Sequence, residues 1–334
     1  MLYSRIVGIG HYVPENIISN QYLETLMDTS DAWITERTGI KERRYFTAGK
    51  DTNASMATEA AKIAIERAGI TPEDIDFIVY ATITPDYYFP GPGFVMQREL
   101  GIQGVGVLDI RDQCSGFIYA LSTADQFIRS GMYKNILVIG AEVQSTFLNP
   151  TNEGRGVAVI FGDGAGAVVL QATQDENHRI LSTHLHADGR YAEDLYVKEP
   201  SSSSSGGRFF DNLVKDKNSG DVIMNGNAVF KHAIVRFPEV IREALDKNGL
   251  QPDQIDLLVP HQANLRISEY VRQQMGLSED KVMNNIQKYG NTTAASIPIA
   301  LCEAWETGRV KDGDLICLAA FGSGFTWGSA LIRW

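Results

Sequence analysis

Along this chain, short apolar runs alternate with longer stretches in which apolar residues recur every three or four positions. The first pattern reads as buried strand and the second as amphipathic helix. Two of the runs sit at the end of nearly the same seven-residue phrase. Residues 73–79 read Glu-Asp-Ile-Asp-Phe-Ile-Val and residues 253–259 read Asp-Gln-Ile-Asp-Leu-Leu-Val, an offset of 180. Each follows a helical stretch (Ala60–Ala68, Glu239–Asn248) and a stop, Gly69-Ile70-Thr71-Pro72 or Gly249-Leu250-Gln251-Pro252. Glycine supplies a left-handed cap after a helix, and proline prevents continuation. The offset recurs twice more. Asn135–Ile139 aligns with Leu315–Ala319, and Ser115–Ser130, with helical spacing at Phe117, Leu121, Ala124 and Ile128, aligns with Ala295–Val310.

Such an internal repeat predicts two halves of similar architecture. Each half alternates strands with helices, so the expected class is α/β, with largely parallel sheets covered on both faces. Stacking the halves gives a duplicated five-layer αβαβα arrangement. The boundary falls near residues 171–178, dividing the chain into residues 1–172 and 173–334. The polar segment Lys198–Gly220, with five serines at Ser201–Ser205, interrupts the second half and reads as an exposed surface loop. A cover over a substrate entrance is the sharper expectation for it.

Composition narrows the class. With 334 residues, 44% of them hydrophobic and 21% charged, a sizeable core is available. No run of 18 or more apolar residues occurs, so no membrane insertion is expected. The N-terminus lacks the pattern of a secretory signal. Three cysteines, an odd number, do not make a disulfide framework, and a reducing cytoplasm is expected. The formal net charge of −11 argues against a nucleic-acid partner. Any acidic partner must then dock on a local basic patch, against the overall field.

Candidate chemistry gathers where strands of the repeat end. Cys114 follows the apolar strand Val105–Ile110 and opens the helix that begins at Ser115. Unpaired N–H groups and the helix dipole there would favour a thiolate nucleophile. An ordinary buried cysteine is the other reading, and the one given to Cys302 and Cys317. His261 ends the strand Leu257–Val259, and functional groups collect at such strand ends. The repeat could bring Cys114 and His261 to one site. Asn291, in Gly290-Asn291-Thr292-Thr293-Ala294-Ala295-Ser296, either enters a helix or offers amide N–H donors to an oxygen. In Phe321-Gly322-Ser323-Gly324-Phe325 a backbone N–H could pair with that of Cys114 as an oxyanion hole. His184 and His186 could face one way on a strand, but no further ligand completes a metal site, so no metal is expected. Gly8-Ile9-Gly10 and Gly162-Asp163-Gly164-Ala165-Gly166 do not satisfy the nucleotide-loop pattern.

Taken in order, Asp109–Phe117, Phe161–Gly166, His261–Arg266, Gly290–Thr292 and Phe325–Gly328 resemble the β-ketoacyl-ACP synthase III family, across essentially the whole chain. The resemblance implies a thiolase-like fold. It implies Cys114 as the acylated nucleophile, with His261 and Asn291 binding the malonyl thioester oxygen and the backbone of Cys114 and Ser323 as oxyanion hole. It implies coenzyme A contacts at Trp33, Arg37, Arg155, Asn227 and Asn264. Phe89 would shape the acyl pocket from across a homodimer interface, and Lys231 and Arg266 would meet acyl carrier protein. The partners implied are acyl-CoA and malonyl-ACP, with no cofactor beyond the acyl-CoA substrate.

Residue types separate relatives. Elongating synthases use Cys-His-His. Thiolases carry a second cysteine near the C-terminus. Plant-type polyketide synthases have a Gly-Phe-Gly-Pro-Gly loop absent here. A papain-like hydrolase would show a Cys-Gly-Ser-Cys-Trp signature, also absent. Asp112-Gln113 before the cysteine, Ser323 in place of glycine and the long 198–220 segment depart from fatty-acid starter enzymes. They are similar to a side branch that includes quinolone-signal condensing enzymes. The expected activity is decarboxylative condensation that initiates fatty acid synthesis. The alternative is a specialised secondary-metabolite enzyme using an aromatic or longer starter.

Overall fold

The computed structural model describes residues 2–198, Pro200 and residues 220–334. The first half runs β1 (Tyr3–Tyr12), β2 (Asn16–Ser19), α1 (Asn20–Glu24), α2 (Asp31–Thr38), β3 (Glu42–Tyr45), α3 (Asn53–Arg67) and β4 (Phe77–Ala81). It continues with α4 (Pro92–Glu99), β5 (Gly106–Ile110), α5 (Gly116–Arg129), β6 (Asn135–Val143), α6 (Arg155–Ala158) and β7 (Asp163–Thr173). The second half begins with β8 (Arg179–Ala187), β9 (Leu195–Tyr196), β10 (Ile223–Met224), α7 (Gly226–Lys247) and β11 (Leu257–Pro260). It ends with α8 (Leu265–Met275), α9 (Ile286–Tyr289), α10 (Ser296–Glu306), β12 (Leu315–Gly322) and β13 (Thr326–Arg333).

One sheet has the order β1-β7-β6-β4-β5 and the other β11-β12-β13-β8. Their apolar faces make three cores. Between the sheets lie α5 and α10, burying Phe117, Leu121, Ile297 and Leu301 against Val79 and Val138 on one side and Val259 and Leu318 on the other. Outside the first sheet, the alanine-rich face of α3 (Ala57, Ala60, Ala61, Ala64) packs on Ile78, Leu137 and Val169. Outside the second, Phe237 and Ile241 of α7 and Val271 of α8 cover Leu258 and Cys317. This is the five-layer αβαβα stack, and the offset of 180 pairs β4 with β11, β6 with β12 and α5 with α10.

The expectation of largely parallel sheets is corrected. β4 runs parallel to β5 and β6, and β11 to β12, but β1–β7, β6–β7, β12–β13 and β8–β13 are antiparallel. The connection from β12 to β13 is only Ser323-Gly324-Phe325. A parallel return needs a crossover of a dozen residues or more, so so short a link can only make a hairpin.

Two glycine clusters serve packing. A Cβ at Gly10 would lie 2.3 Å from the Ala60 carbonyl oxygen, so Gly8-Ile9-Gly10 lets α3 lie close on β1. A Cβ at Gly166 would meet Pro298 Cβ at 2.6 Å, beneath α10. The 198–220 segment expected as a surface loop lies almost entirely outside the described residues.

Gly140 of β6 tests the central contact. A methyl group there would sit 2.3 Å from the Ala294 carbonyl oxygen, in the turn that leads into α10. We expect Gly140→Ala to destabilise the protein by about 2–3 kcal/mol, as overpacking against backbone does. Thermal denaturation reads this directly, and an unchanged melting temperature would mean the two halves do not touch there.

Candidate active site

The centre lies where the turn after β5, the end of β11, the turn before α10 and the β12–β13 hairpin meet. Cys114 sits in a single 3-10 turn, Gln113–Ser115, that runs directly into α5. Gln113 holds a left-handed φ of 46°, uncommon for a residue with a side chain, and this bends the chain sharply before the cysteine. Burial pushes the Cys114 thiol up to about 12, with the nearby Glu142 carboxyl raising it further. The backbone N–H groups of Cys114 and Ser323, near the sulfur, act the other way. The resting group is therefore a thiol: loss of hydration outweighs the helix start, contrary to the thiolate expected at this position. Gly322 is required beside it, because a Cβ there would lie 2.8 Å from Cys114 Cβ.

His261 prolongs β11, its N–H donating to Ala319 O at 2.8 Å. Desolvation pushes its pKa down to about 3, so the ring is neutral at physiological pH. Nδ1 lies 2.6 Å from Ser296 Oγ, and Ser296 Oγ also accepts from the Gln262 N–H at 3.4 Å. When the serine O–H donates to Nδ1, the ring proton resides on Nε2. Nε2 is buried and has no partner among the described residues. In that tautomer Nε2 offers a donor within the cavity that His261 lines.

Asn291 is oriented by similar logic. Its N–H donates to Ile160 O at 2.9 Å and its carbonyl accepts from Gly162 N at 3.0 Å, pinning the backbone against Phe161. Its Oδ1 accepts from the Thr293 N–H at 2.8 Å, which leaves the Nδ2 donors for the cavity. Ser323 Oγ donates to Leu195 O, so the hydroxyl is tied to β9 while the backbone N–H stays turned to Cys114. A serine here leaves the N–H donor in place.

Cys114, His261, Asn291 and Ser323 line one cavity of about 980 Å³. Trp33, Arg37, Asn227, Asn264 and Arg266 also line it. Arg37 stacks 4.7 Å over the Trp33 ring, and Asn264 caps α8 while its Nδ2 donates to Arg37 O at 3.0 Å. Val197 and Val222, flanking the undescribed segment, contribute to the wall as well. Three expected site residues fall outside the lining. Arg155 pairs with Asp28 at 3.2 Å on the surface, Lys231 is exposed one helical turn beyond Asn227, and Phe89 is 81% exposed. Arg155 is held by that ion pair, and Phe89 cannot reach the cavity of its own chain.

Sequence reasoning missed Ser296, Thr293, Gln144 and Glu142. Thr293 Oγ1 accepts from Gln144 Nε2 at 2.9 Å. Glu142 is fully buried and pushed up to about 8 by desolvation, against hydrogen bonds from Thr84, Ile83, Thr82 and Ala294. The run Thr292–Ser296 was the available signal, polar residues ahead of the apolar stretch Ile297–Cys302. His184 and His186 both pair with Glu243, at 3.3 and 2.6 Å. Among the described residues, His11, Cys302 and Glu306 could converge on a metal. Arg67 already donates to Cys302 Sγ at 3.3 Å and to Glu306 at 2.7 Å, so a cation holds that spot.

Comparison with known proteins agrees over the whole length. The family model 3-oxoacyl-[acyl-carrier-protein (ACP)] synthase III matches residues 108–189, and its C-terminal counterpart matches residues 245–334. The chain is 46% identical to the β-ketoacyl-[acyl-carrier-protein] synthase III of Xanthomonas campestris, covering 100% of this chain and 99% of the relative. The crystal structure of the 3-oxoacyl-[acyl-carrier-protein] synthase III from Aquifex aeolicus superposes with a TM-score of 0.90 at 45% identity, covering 99% and 100% of the two chains. The priming β-ketosynthase of the R1128 polyketide pathway superposes with a TM-score of 0.89 at 32% identity, covering 99% and 96%.

Two measurements test this geometry. Ser296→Ala frees His261 Nδ1, and losing such an orienting partner typically costs about 10–100-fold. The loss should fall on turnover of a malonyl thioester and not on acylation of Cys114, with Ser296→Thr restoring most of it. Alkylation of Cys114 by iodoacetamide should rise about tenfold per pH unit between pH 7 and 10, because the thiol titrates only near 12. A plateau below pH 9 would mean an ordinary or activated thiol.

Proposed function

Because this chain belongs to the β-ketoacyl-ACP synthase III family, condensing acyltransferases that initiate fatty acid synthesis, we propose that its reaction proceeds through Cys114, His261 and Asn291. One observation carries the assignment of roles. A buried thiol, two backbone N–H groups near its sulfur and two side-chain nitrogens without partners among the described residues share one cavity.

In the first half-reaction, Cys114 Sγ attacks the thioester carbonyl of an acyl-CoA. The backbone N–H groups of Cys114 and Ser323 receive the oxyanion, and one such donor is worth ~10²–10³ in rate. The carbon–sulfur bond to coenzyme A breaks, and the thiol proton leaves with it, so no separate base is consumed. In the second, the thioester carbonyl of malonyl-ACP accepts from His261 Nε2–H and Asn291 Nδ2–H. Carbon dioxide departs, and the enolate left behind is held by these two donors. Its carbon attacks acyl-Cys114, the carbon–sulfur bond breaks, and a β-ketoacyl-ACP is released. The expelled thiolate takes up one proton, which a buried sulfur with so high a proton affinity favours. Neutral imidazole suits this step, since a donor is needed and not a cation. Two sequential half-reactions give ping-pong kinetics.

The stacked Trp33–Arg37 pair at the cavity mouth supports binding of the adenine end of coenzyme A. Asn227 and Asn264 line the passage for the pantetheine arm, while Arg266 and Lys231 suit an acidic carrier protein on a chain of net charge −11. A homodimer is supported by β5, an edge strand, flanked by exposed Tyr87, Tyr88, Phe89, Phe94 and Leu108. Burying this patch on a second copy would also account for Phe89 acting across the interface. Among the described residues no helix is long and apolar enough to cross a membrane, and three free cysteines fit a cytoplasmic setting. No cofactor enters the proposed steps. The relatives at 46% identity favour fatty acid initiation over a polyketide or quinolone-type role.

Separable variants test the scheme. Cys114→Ala should abolish the acyl adduct seen by intact-protein mass spectrometry after incubation with acyl-CoA. His261→Ala and Asn291→Ala should load acyl groups and lose condensation by ~10²-fold or more. Wild-type condensation in Asn291→Ala would remove that residue from the mechanism.

A further inference from the structure

Beyond Cys114, the cavity wall is made by the segments that leave β4, β5 and β6. Ile83, Thr84, Tyr88, Arg111, Gln113 and Gln144 line it there. Beside the apolar Ile83, Pro85 and Phe147, these segments place the polar side chains of Thr84, Arg111, Gln113 and Gln144 on the wall. Gln113 occupies a left-handed backbone conformation that a residue with a side chain rarely adopts, and it brings an amide, not an apolar group, to the lining of the cavity that Cys114 shares. That amide has no hydrogen-bond partner among the described residues. Gln144 is 3% exposed, and its Nε2 donates to Thr293 Oγ1 at 2.9 Å and to Glu142 Oε2 at 3.4 Å. Both bonds use the nitrogen. Oε1 has no donor among the described residues, and Gln144 lines the cavity. Arg111 lies 5.5 Å over the Tyr88 ring and makes no ion pair among the described residues.

A saturated alkyl chain packed here would leave the Gln113 amide and Gln144 Oε1 dry and unpaired, which costs free energy for every group it strips of water. A ligand that brings its own oxygen would pair with them. We propose that the acyl end of the cavity selects a short starter bearing an oxygen function (hydroxyl, oxo or carboxylate) on its first few carbons, with Gln113 and Gln144 as the residues that read it. The inference rests on the acyl-transfer reading above and names its substrate class.

The test compares second-order rates of Cys114 acylation for butyryl-CoA, 3-hydroxybutyryl-CoA and succinyl-CoA, followed by intact-protein mass spectrometry. An apolar pocket disfavours an added hydroxyl by up to ~10², whereas a site built to hydrogen-bond it reverses the order strongly. We expect one of the oxygen-bearing thioesters to react at least ~10-fold faster than butyryl-CoA. Which of the two does so tells a hydroxyl from a carboxylate reader. In Gln113→Met and Gln144→Leu that ratio should fall by about tenfold or more. Butyryl-CoA reacting as fast as both others in the wild-type protein overturns the proposal, whether or not the variants fold, and leaves acyl transfer intact. No adduct from these or from acetyl-CoA overturns acyl transfer together with it.

Discussion

The close approach of two turns at the centre of the molecule is the constraint on which the site depends. The turn carrying Cys114 and the turn carrying Asn291 each feed a central helix, α5 and α10, and the two meet at Gly116, Gly140 and Ala294. Neither helix could be so apolar if it were not enclosed between two sheets. That enclosure forces both helix starts to face each other. Glycine is demanded at Gly140 by the Ala294 carbonyl and at Gly322 by Cys114 itself, so backbone sterics place the nucleophile before any polar interaction acts.

Burial then sets the electrostatics. In a water-poor centre the charged forms of thiol and imidazole are both disfavoured, and Cys114 and His261 rest neutral. Chemistry is left to oriented N–H groups. Each has been aimed by engaging the opposite end of the same group: Ser296 on His261 Nδ1, the Thr293 N–H on Asn291 Oδ1, and β9 on the Ser323 hydroxyl. Preorganised donors in such surroundings need no reorganisation when negative charge develops on a substrate oxygen. The same burial makes unpaired polar atoms in the cavity wall costly, which is why Gln113 and Gln144 are informative there and would be unremarkable on the surface.

The cavity joins two kinds of wall. Near its mouth, α2, α7 and α8 contribute an aromatic-cationic pair and amides suited to a long polar carrier arm. The segments following β4, β5 and β6 supply another part of the wall, with Thr84, Gln113 and Gln144. Since β5 is an edge strand, the exposed aromatic residues beside it lie close to that part of the wall, so association with a second copy would affect the acyl pocket directly.

Much of this was legible in the sequence. The repeat at an offset of 180, with its Gly-x-x-Pro stops, was enough to fix two strand–helix units and their five layers, because helix caps and apolar periodicity are local properties. Cys114, His261, Asn291 and Ser323 were legible because each follows a repeated strand or precedes a repeated helix. Strand direction was not: the three-residue link from β12 to β13 shows that a hairpin forms, but which strands adjoin is decided by packing between distant segments. Nor was the state of the thiol legible, since the helix start is a local feature while desolvation comes from every element around it. Ser296 and Gln144 acquired meaning only when folding brought Ser296 to a histidine 35 residues away and Gln144 to a threonine 149 residues away. Hydrogen bonds over such separations have no periodicity to reveal them; they exist because the tertiary fold removes water and brings those groups together as partners.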